Sequence, residues 1–216
     1  MNIDLLDYRR RVGEAYADLR RTDDRQTGVH RFRAFRDGLF RTHSRSALDD
    51  RQKQEFRGLS YFPYDPSFRL LAEVRPADEP LTITLPLGED GETRLERMGR
   101  VEVTLPTGTG PLDVFWVRGY GGGIFLPFGD ATNLASTYGG GRYLLDTIKG
   151  ADLGAVGSQL ILDFNFAYNP SCAYNPRWVC PLAPPGNRFG FPVPVGEKIP
   201  DLVSGGLIQE TVEDGT

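Results

Sequence analysis

Three aspartates, Asp130, Asp146 and Asp163, each fall near the end of an apolar run rich in strand-forming residues. A carboxylate so placed, beside Tyr138, Arg142 and Tyr168, does acid–base work when burial raises its pKa. Asp130 and Asp163 are therefore the candidate catalytic groups, as proton acceptors. Arg142 follows the run YGGG at Tyr138–Gly141, whose glycines let a ligand or another strand reach the backbone. Its guanidinium is the candidate holder of an anion. Tyr138, Tyr143, Phe166, Tyr168, Tyr174 and Trp178 are candidate aromatic walls. Asn165, Asn169 and Asn187 are candidates for the few polar anchors a small-molecule site needs. Each residue also has a plainer reading: the carboxylates cap turns or pair with Arg142, Arg177 or Arg188, and the glycines mark bulges or close backbone approach.

Cys172 and Cys180 are the only cysteines. Reduced, buried thiols are the expected state, and a disulfide is disfavoured in a reducing compartment. A metal needs more ligands than two thiols at a C-x7-C spacing. The only histidines, His30 and His43, belong to a distant helical segment. A nucleophilic Cys–His pair would need one of them folded against the cysteines. The chain has no G-x-x-x-x-G-K-[ST] motif and no G-x-G-x-x-G between a strand and a helix. No metal and no cofactor are expected.

Two kinds of chain must position these groups. Residues 1–60 read as helical. Ile3, Leu6, Val12, Tyr16 and Leu19 recur on one face, and Phe32, Phe35, Leu39 and Phe40 form a second stripe. SALD at Ser46–Asp49 resembles a capping box that opens a third helix, running to about Arg57. The two prolines of YFPYDPSF then end helix. From Phe68 onward, short runs are divided by turn signals such as GEDGE and TGTGP. Nine candidate strands follow, from FRLLAEV to FGFPVPV, with no helix between them. The fold class expected is α+β, mainly β: an antiparallel β-barrel or sandwich preceded by two to three N-terminal helices. A single domain over 1–216 is expected, with residues 1–60 as a helical layer and 61–200 as the β-core. GGLIQETVEDGT at the end reads as a loose terminus.

The β-core closes on an unusual segment. Eight of the 16 prolines lie between Pro170 and Pro200, which excludes helix there. Between Asp163 and Glu197 the only charged residues are Arg177 and Arg188. AYNP occurs at 167–170 and again at 173–176, so Asn169 and Asn175 each precede proline and are pushed to extended geometry. Such a stretch is too apolar for a free linker. It reads as a stiff, mostly buried strap whose backbone must find partners, and Asn165, Asn169, Asn175 and Asn187 are suitable suppliers.

Composition bounds the partners. At 216 residues, with 39% hydrophobic and 25% charged residues, the chain has an ordinary globular makeup and length for one core. Net charge is −4, divided unevenly. Residues 1–60 carry 14 basic and 10 acidic groups, and the remainder is acidic. The basic groups are interleaved with acids and form no run, so no nucleic-acid partner is expected. No apolar run approaches a membrane span. The first residues place acids where a signal peptide needs basic ones, so a cytoplasmic protein is expected.

PFGDAT, TYGGGRYL, LDFNFAYNPSCAYNPRWVCPLAPPGNR and the upstream GLSYFPYDPSFR resemble an uncharacterised family of bacterial and archaeal proteins, catalogued as a domain of unknown function. The resemblance runs from about Phe35 to Lys198 and implies one domain of this size. It brings no activity, cofactor or catalytic residue. Where such proteins read P-x-E-N-R, this chain has Pro185-Gly186-Asn187-Arg188. Had that glutamate a catalytic task, this chain would lack it.

Two functions follow as expectations. One is a small-molecule-binding pocket in a β-barrel, whose enzymatic form would use carboxylate acid–base chemistry on an anionic substrate held by Arg142. The alternative is a non-catalytic structural or interaction domain, with the N-terminal helices as a partner or homodimer surface.

Overall fold

The computed structural model describes residues 3–86 and 91–201. Helices α1 (Ile3–Arg21) and α2 (Arg25–Thr42) are joined by a short turn. Asp24 caps α2 by accepting from the Thr27 N–H at 3.3 Å. The third helix, α3 (Asp50–Glu55), starts later and ends earlier than its sequence suggests. Its capping box is Asp49 with Gln52, not the SALD stretch. Ser46 instead donates to Phe40 O at 2.6 Å and accepts from Leu48 N at 3.2 Å, which makes it a turn residue.

Among the described residues eight strands follow: β1 (Arg69–Glu73), β2 (Thr82–Pro86), β3 (Glu92–Leu105), β4 (Gly108–Val117), β5 (Gly123–Phe128), β6 (Arg142–Asp146), β7 (Ala155–Val156) and β8 (Gln159–Asp163). They form a five-stranded sheet in the order β2-β3-β4-β5-β6 and a three-stranded sheet in the order β1-β8-β7. Every pairing is antiparallel. Two expected strands, TRLERM and RVEVTLP, are one 14-residue strand with a bulge between Arg97 and Gly99. The bulge lets the end of β1 cross: Arg75 and Arg100 exchange backbone hydrogen bonds at 2.9 and 2.8 Å. A Cβ at Gly99 would lie 2.6 Å from Arg75 O, so the crossing requires glycine there.

The stretch FGFPVPV is not a strand. Pro192 and Pro194 remove alternate N–H donors, so it cannot ladder. β7, only two residues long, carries no readable alternation. The C-terminal stretch GGLIQETVEDGT lies outside the described residues.

The architecture is sandwich-like and not a closed barrel. One face of the five-stranded sheet, with Val101, Val103, Leu112, Val114, Leu126 and Phe128, packs on Ala72 of β1, Leu162 of β8 and Phe189, Val193 and Val195 of the strap. The opposite face, with Leu95, Phe115, Phe125 and Tyr143, is covered by Tyr16 and Leu19 of α1 and by Val29 and Phe32 of α2. β6 does not close on β2. Its outer edge pairs with the strap, where Tyr143 N donates to Tyr168 O at 2.8 Å and Tyr168 N to Tyr143 O at 3.1 Å.

The helical layer is thus half of a core, and its apolar face is committed to the sheet. Phe32 sits edge-on to Tyr16 at 5.0 Å and to Phe166 at 5.3 Å. Truncating it to alanine should cost about 3–5 kcal/mol by urea denaturation. Deleting residues 1–60 should give an aggregated or unfolded product in size-exclusion chromatography and circular dichroism. A well-folded soluble β-core from that deletion would contradict the two-sided packing.

Candidate functional site

The structure distributes the predicted site residues over β6, the loop before it and the strap. Arg142 and Asp130 form one wholly buried pair, Nη2 to Oδ2 at 2.8 Å. Nη2 also donates to Val193 O at 2.9 Å, and Nη1 donates to Val195 O and to Glu197 O. Asp130 Oδ1 accepts from the Thr132 N–H at 2.8 Å, the Thr132 hydroxyl at 2.5 Å and Val193 N at 3.1 Å. Burial pushes the Arg142 pKa down, and Asp130 beside it pushes back. Both terminal nitrogens of Arg142 are engaged inside the protein, so the geometry gives no support to an anion held there. Gly141 makes the approach tight. Its φ is +89°, and a Cβ would meet Phe128 O at 2.6 Å and Ala183 Cβ at 2.7 Å.

The asparagines perform the work of missing ladder bonds. Asn187, wholly buried, accepts from Asp113 N at 2.9 Å and donates to Asp113 O at 2.9 Å and Pro127 O at 2.8 Å. Asn165 grips Asp65 in the same two-way manner at 2.9 and 2.7 Å and also donates to Asp163 Oδ1 at 2.8 Å. Asp163 keeps its Oδ2 unpartnered, and burial raises its pKa against the bonds from Asn165. Tyr143 OH donates to Pro181 O at 2.6 Å, and Trp178 Nε1 to Ala47 O at 3.0 Å. Tyr138 OH lies 3.7 Å from Cys172 Sγ. Asp146 pairs with Lys149 at 2.9 Å. Neither histidine reaches the cysteines. His43 contacts Asp7 at 3.2 Å and accepts from Arg45 N at 2.9 Å, and His30 is exposed on α2. These candidates are therefore spread over several separate groups of contacts.

What does converge lies where the strap faces α2. Arg36 and Glu197 form a second buried ion pair, Nη2 to Oε2 at 2.8 Å. Glu197 is 1% exposed. Its Oε2 also accepts from Asn169 N at 3.3 Å, while its Oε1 has no partner. Arg36 Nε donates to Tyr61 OH at 3.3 Å, and the guanidinium lies over Tyr168 at 5.0 Å and Phe40 at 5.2 Å. Burial pushes the Glu197 carboxyl above the usual glutamate range, against the pull of Arg36. Three other strap atoms here have no partner: Tyr168 OH, Asn169 Oδ1 and Tyr174 OH. Tyr174 packs edge-on against Phe40 at 4.8 Å.

A cleft of about 270 Å³ opens beside this group, lined by Gln52, Phe56, Leu59, Tyr174, Glu197 and Lys198. A second cavity of about 20 Å³, among Tyr16, Arg36 and Tyr168, has the size of a single water. Sequence reasoning named Tyr174 but missed Glu197 and Arg36. The signal for Arg36 was present: it stands between Phe32 and Phe40 on the apolar stripe of α2, where a charge is out of place. Glu197 is the first acid after Asp163, at the end of a long strap whose only charges are Arg177 and Arg188.

Helices on one face of an antiparallel sheet, with a second sheet and a proline-rich strap on the other, define a mainly β two-sheet domain of uncharacterised type. The chain belongs to the family described as "Protein of unknown function (DUF1684)", which it matches over residues 54–198. That span holds both sheets, the strap and Glu197, and α1 and α2 precede it. A similar solved structure is the solution NMR structure of the uncharacterized protein from gene locus rrnAC0354 of Haloarcula marismortui. It is 30% identical, with a TM-score of 0.57, over 83% of this chain and 97% of that one. No curated protein matches the chain.

Removing one partner of a buried pair leaves an uncompensated charge, which costs about 3–5 kcal/mol. Asp130→Asn and Arg142→Ala should each destabilise by at least that amount in urea denaturation. Asp163→Asn should be mild, below about 1.5 kcal/mol, because it removes the unpartnered oxygen and retains an acceptor for Asn165. Equal effects at Asp130 and Asp163 would refute this ranking.

Proposed function

We propose that the protein binds a compact small molecule in the cleft between α3 and the strap, with Glu197 as the group that recognises it. The observation that carries this reading is two unpartnered polar atoms, Glu197 Oε1 and Tyr174 OH, on residues lining one cavity. A buried polar atom without a partner costs about 1–3 kcal/mol, so it marks a function or a missing partner. The volume sits just under the roughly 300 Å³ at which drug-sized sites begin, which suits a small metabolite. Phe56 and Leu59 offer an apolar wall, and Lys198 and Asp201 place both signs of charge at the site. A ligand with a hydroxyl or amine donor fits Glu197 better than an anion does. Its raised pKa also equips the carboxyl to accept or give a proton, should binding lead to chemistry.

The test begins with native and denatured mass spectra of the purified chain, where a retained ligand appears as excess native mass. Fragments bearing alcohols or amines, screened by NMR, should first perturb the backbone amides of Leu59, Tyr174 and Lys198. Tyr174→Phe should lower fragment affinity about tenfold while leaving Tm unchanged or raised, because it removes a hydroxyl with no structural partner. Fragments that never perturb these amides, or bind equally well when Leu59→Trp fills the cleft, would refute the assignment.

Glu197 also has a pH signature. Its folded pKa lies above the ordinary value of 4.5, so its contribution to stability is complete below 4.5 and is lost as pH rises through the folded value. The stability of the wild type relative to Glu197→Gln should therefore fall as pH rises above 4.5 in urea titrations. A difference that grows with pH would show that Arg36 dominates the site.

A further inference from the structure

Cys172 and Cys180 are both half-buried and reduced, and they sit against each other. Cys172 N donates to Cys180 Sγ at 3.4 Å, which brings the two residues side by side. The Lys149 charge favours a thiolate at Cys180. Tyr138 OH approaches the other sulfur, Cys172 Sγ, at 3.7 Å. A backbone donor thus serves Cys180, while the Tyr138 hydroxyl faces Cys172. The fold does not explain this arrangement by itself, since the strap is already fastened by Arg142, Asn165, Asn187 and the β6 edge.

We propose that Cys172 and Cys180 are a peroxide-reactive dithiol, in which Cys180 attacks as the thiolate and Cys172 resolves the product. Cys180 sulfur takes the terminal oxygen of a hydroperoxide, the O–O bond breaks, and the alcohol or water leaves with one proton. Cys180 is then a sulfenic acid. Cys172 sulfur attacks that sulfur, the S–O bond breaks, and water leaves with the remaining proton. The sum is two thiols and one hydroperoxide going to one disulfide, one alcohol or water, and one further water. The two thiols lose two electrons, and the peroxide gains them.

The electrostatics agree with these roles. Cys172 beside it pulls the Cys180 pKa below the ordinary thiol range, against the burial that pushes it up. The Cys172 N–H, the Lys149 charge and the Ser171 N–H help. Cys172, which holds the shared proton, is pushed far up. The groups facing the pair are Tyr138, Tyr143 and Lys149, with Asp146 pairing the lysine. Tyr138 and Tyr143 are themselves pushed above the tyrosine range by burial, so at neutral pH neither carries charge.

The wild-type full chain alone gives the first test. After reduction, its iodoacetamide reactivity should rise through a midpoint well below the ordinary thiol value, and at pH 7 peptide mapping should show Cys180 labelled about tenfold faster than Cys172. Equimolar hydrogen peroxide should remove both free thiols and two hydrogens from the monomer mass. Cys172→Ser, which keeps a donor beside Cys180, should stop at a sulfenic acid trapped by dimedone. Cys180→Ser should give neither product at the same dose. A wild-type midpoint near the ordinary thiol value of about 8.5, or faster labelling of Cys172, overturns the proposal. So does an intermolecular disulfide in place of the monomeric one.

Discussion

The buried Asp130–Arg142 pair holds the path of the last forty described residues. Arg142 stands at the start of β6, wholly inside the protein, and its two terminal nitrogens reach Asp130 and three strap carbonyls, those of Val193, Val195 and Glu197. Those carbonyls could not be satisfied by a neighbouring strand, because the proline-interrupted segment cannot sustain a ladder. A guanidinium carries five donors in a fixed fork and can answer several acceptors at once. Asp130 neutralises it and, through Oδ1, holds Val193 from the other side. One ion pair therefore replaces most of a strand pairing, and the strap's apolar residues can enter the core between the sheets.

The asparagines extend the same solution. Asn187 stitches β4 to β5 where their direct pairing, Phe115 to Val117 with Gly123 to Phe125, has ended. Asn165 joins the strap to the turn before β1. The two copies of AYNP have diverged in task. Asn169 reaches Lys198 O at 2.7 Å within the strap, and Asn175 reaches across to Asp49 and Gln52, both at 3.0 Å, and so fixes α3. Between the cysteines, Arg177 and Trp178 hold the carbonyls of Ser46, Leu48 and Ala47. The inter-cysteine loop is thus the clamp on the segment that opens α3, whose Gln52 and following Phe56 form one wall of the cleft.

Much of this was legible in the sequence. Periodicity showed the two long helices, and alternation bounded by turn residues showed most strands, because both patterns follow directly from which face is buried. The character of the strap was legible too, from its prolines and its lack of charge. Closure was not: strand patterns alternate identically in a barrel and a sandwich, and only the strap on the edge of β6 distinguishes them. Nor was the division of labour among buried polar residues. Arg142 and Arg36 both flank glycines or aromatics in the sequence, and whether a guanidinium meets a ligand or a carbonyl depends on contacts over 50 residues away and, for Arg36, over 150.

Buried polar atoms are partnered unevenly along the strap. Where it crosses the sheets, both polar atoms of the Asn187 amide and of the Asn165 amide are taken, and so are both oxygens of Asp130, with Asp163 Oδ2 and Arg142 Nε left over. Where it crosses α2, the matching fails at Tyr168, Asn169, Tyr174 and Glu197 together. A strap selected only to close the fold would have had apolar residues at those places, since phenylalanine fills the space of tyrosine without the cost of a stranded hydroxyl. Charge makes the argument stronger. Arg36 and Glu197 could be replaced by packed hydrophobic residues with little or no loss of stability, whereas keeping them requires two ions to be desolvated. The stability of the sandwich gives no reason for that pair, and the proposed ligand site in the adjoining cleft would supply one.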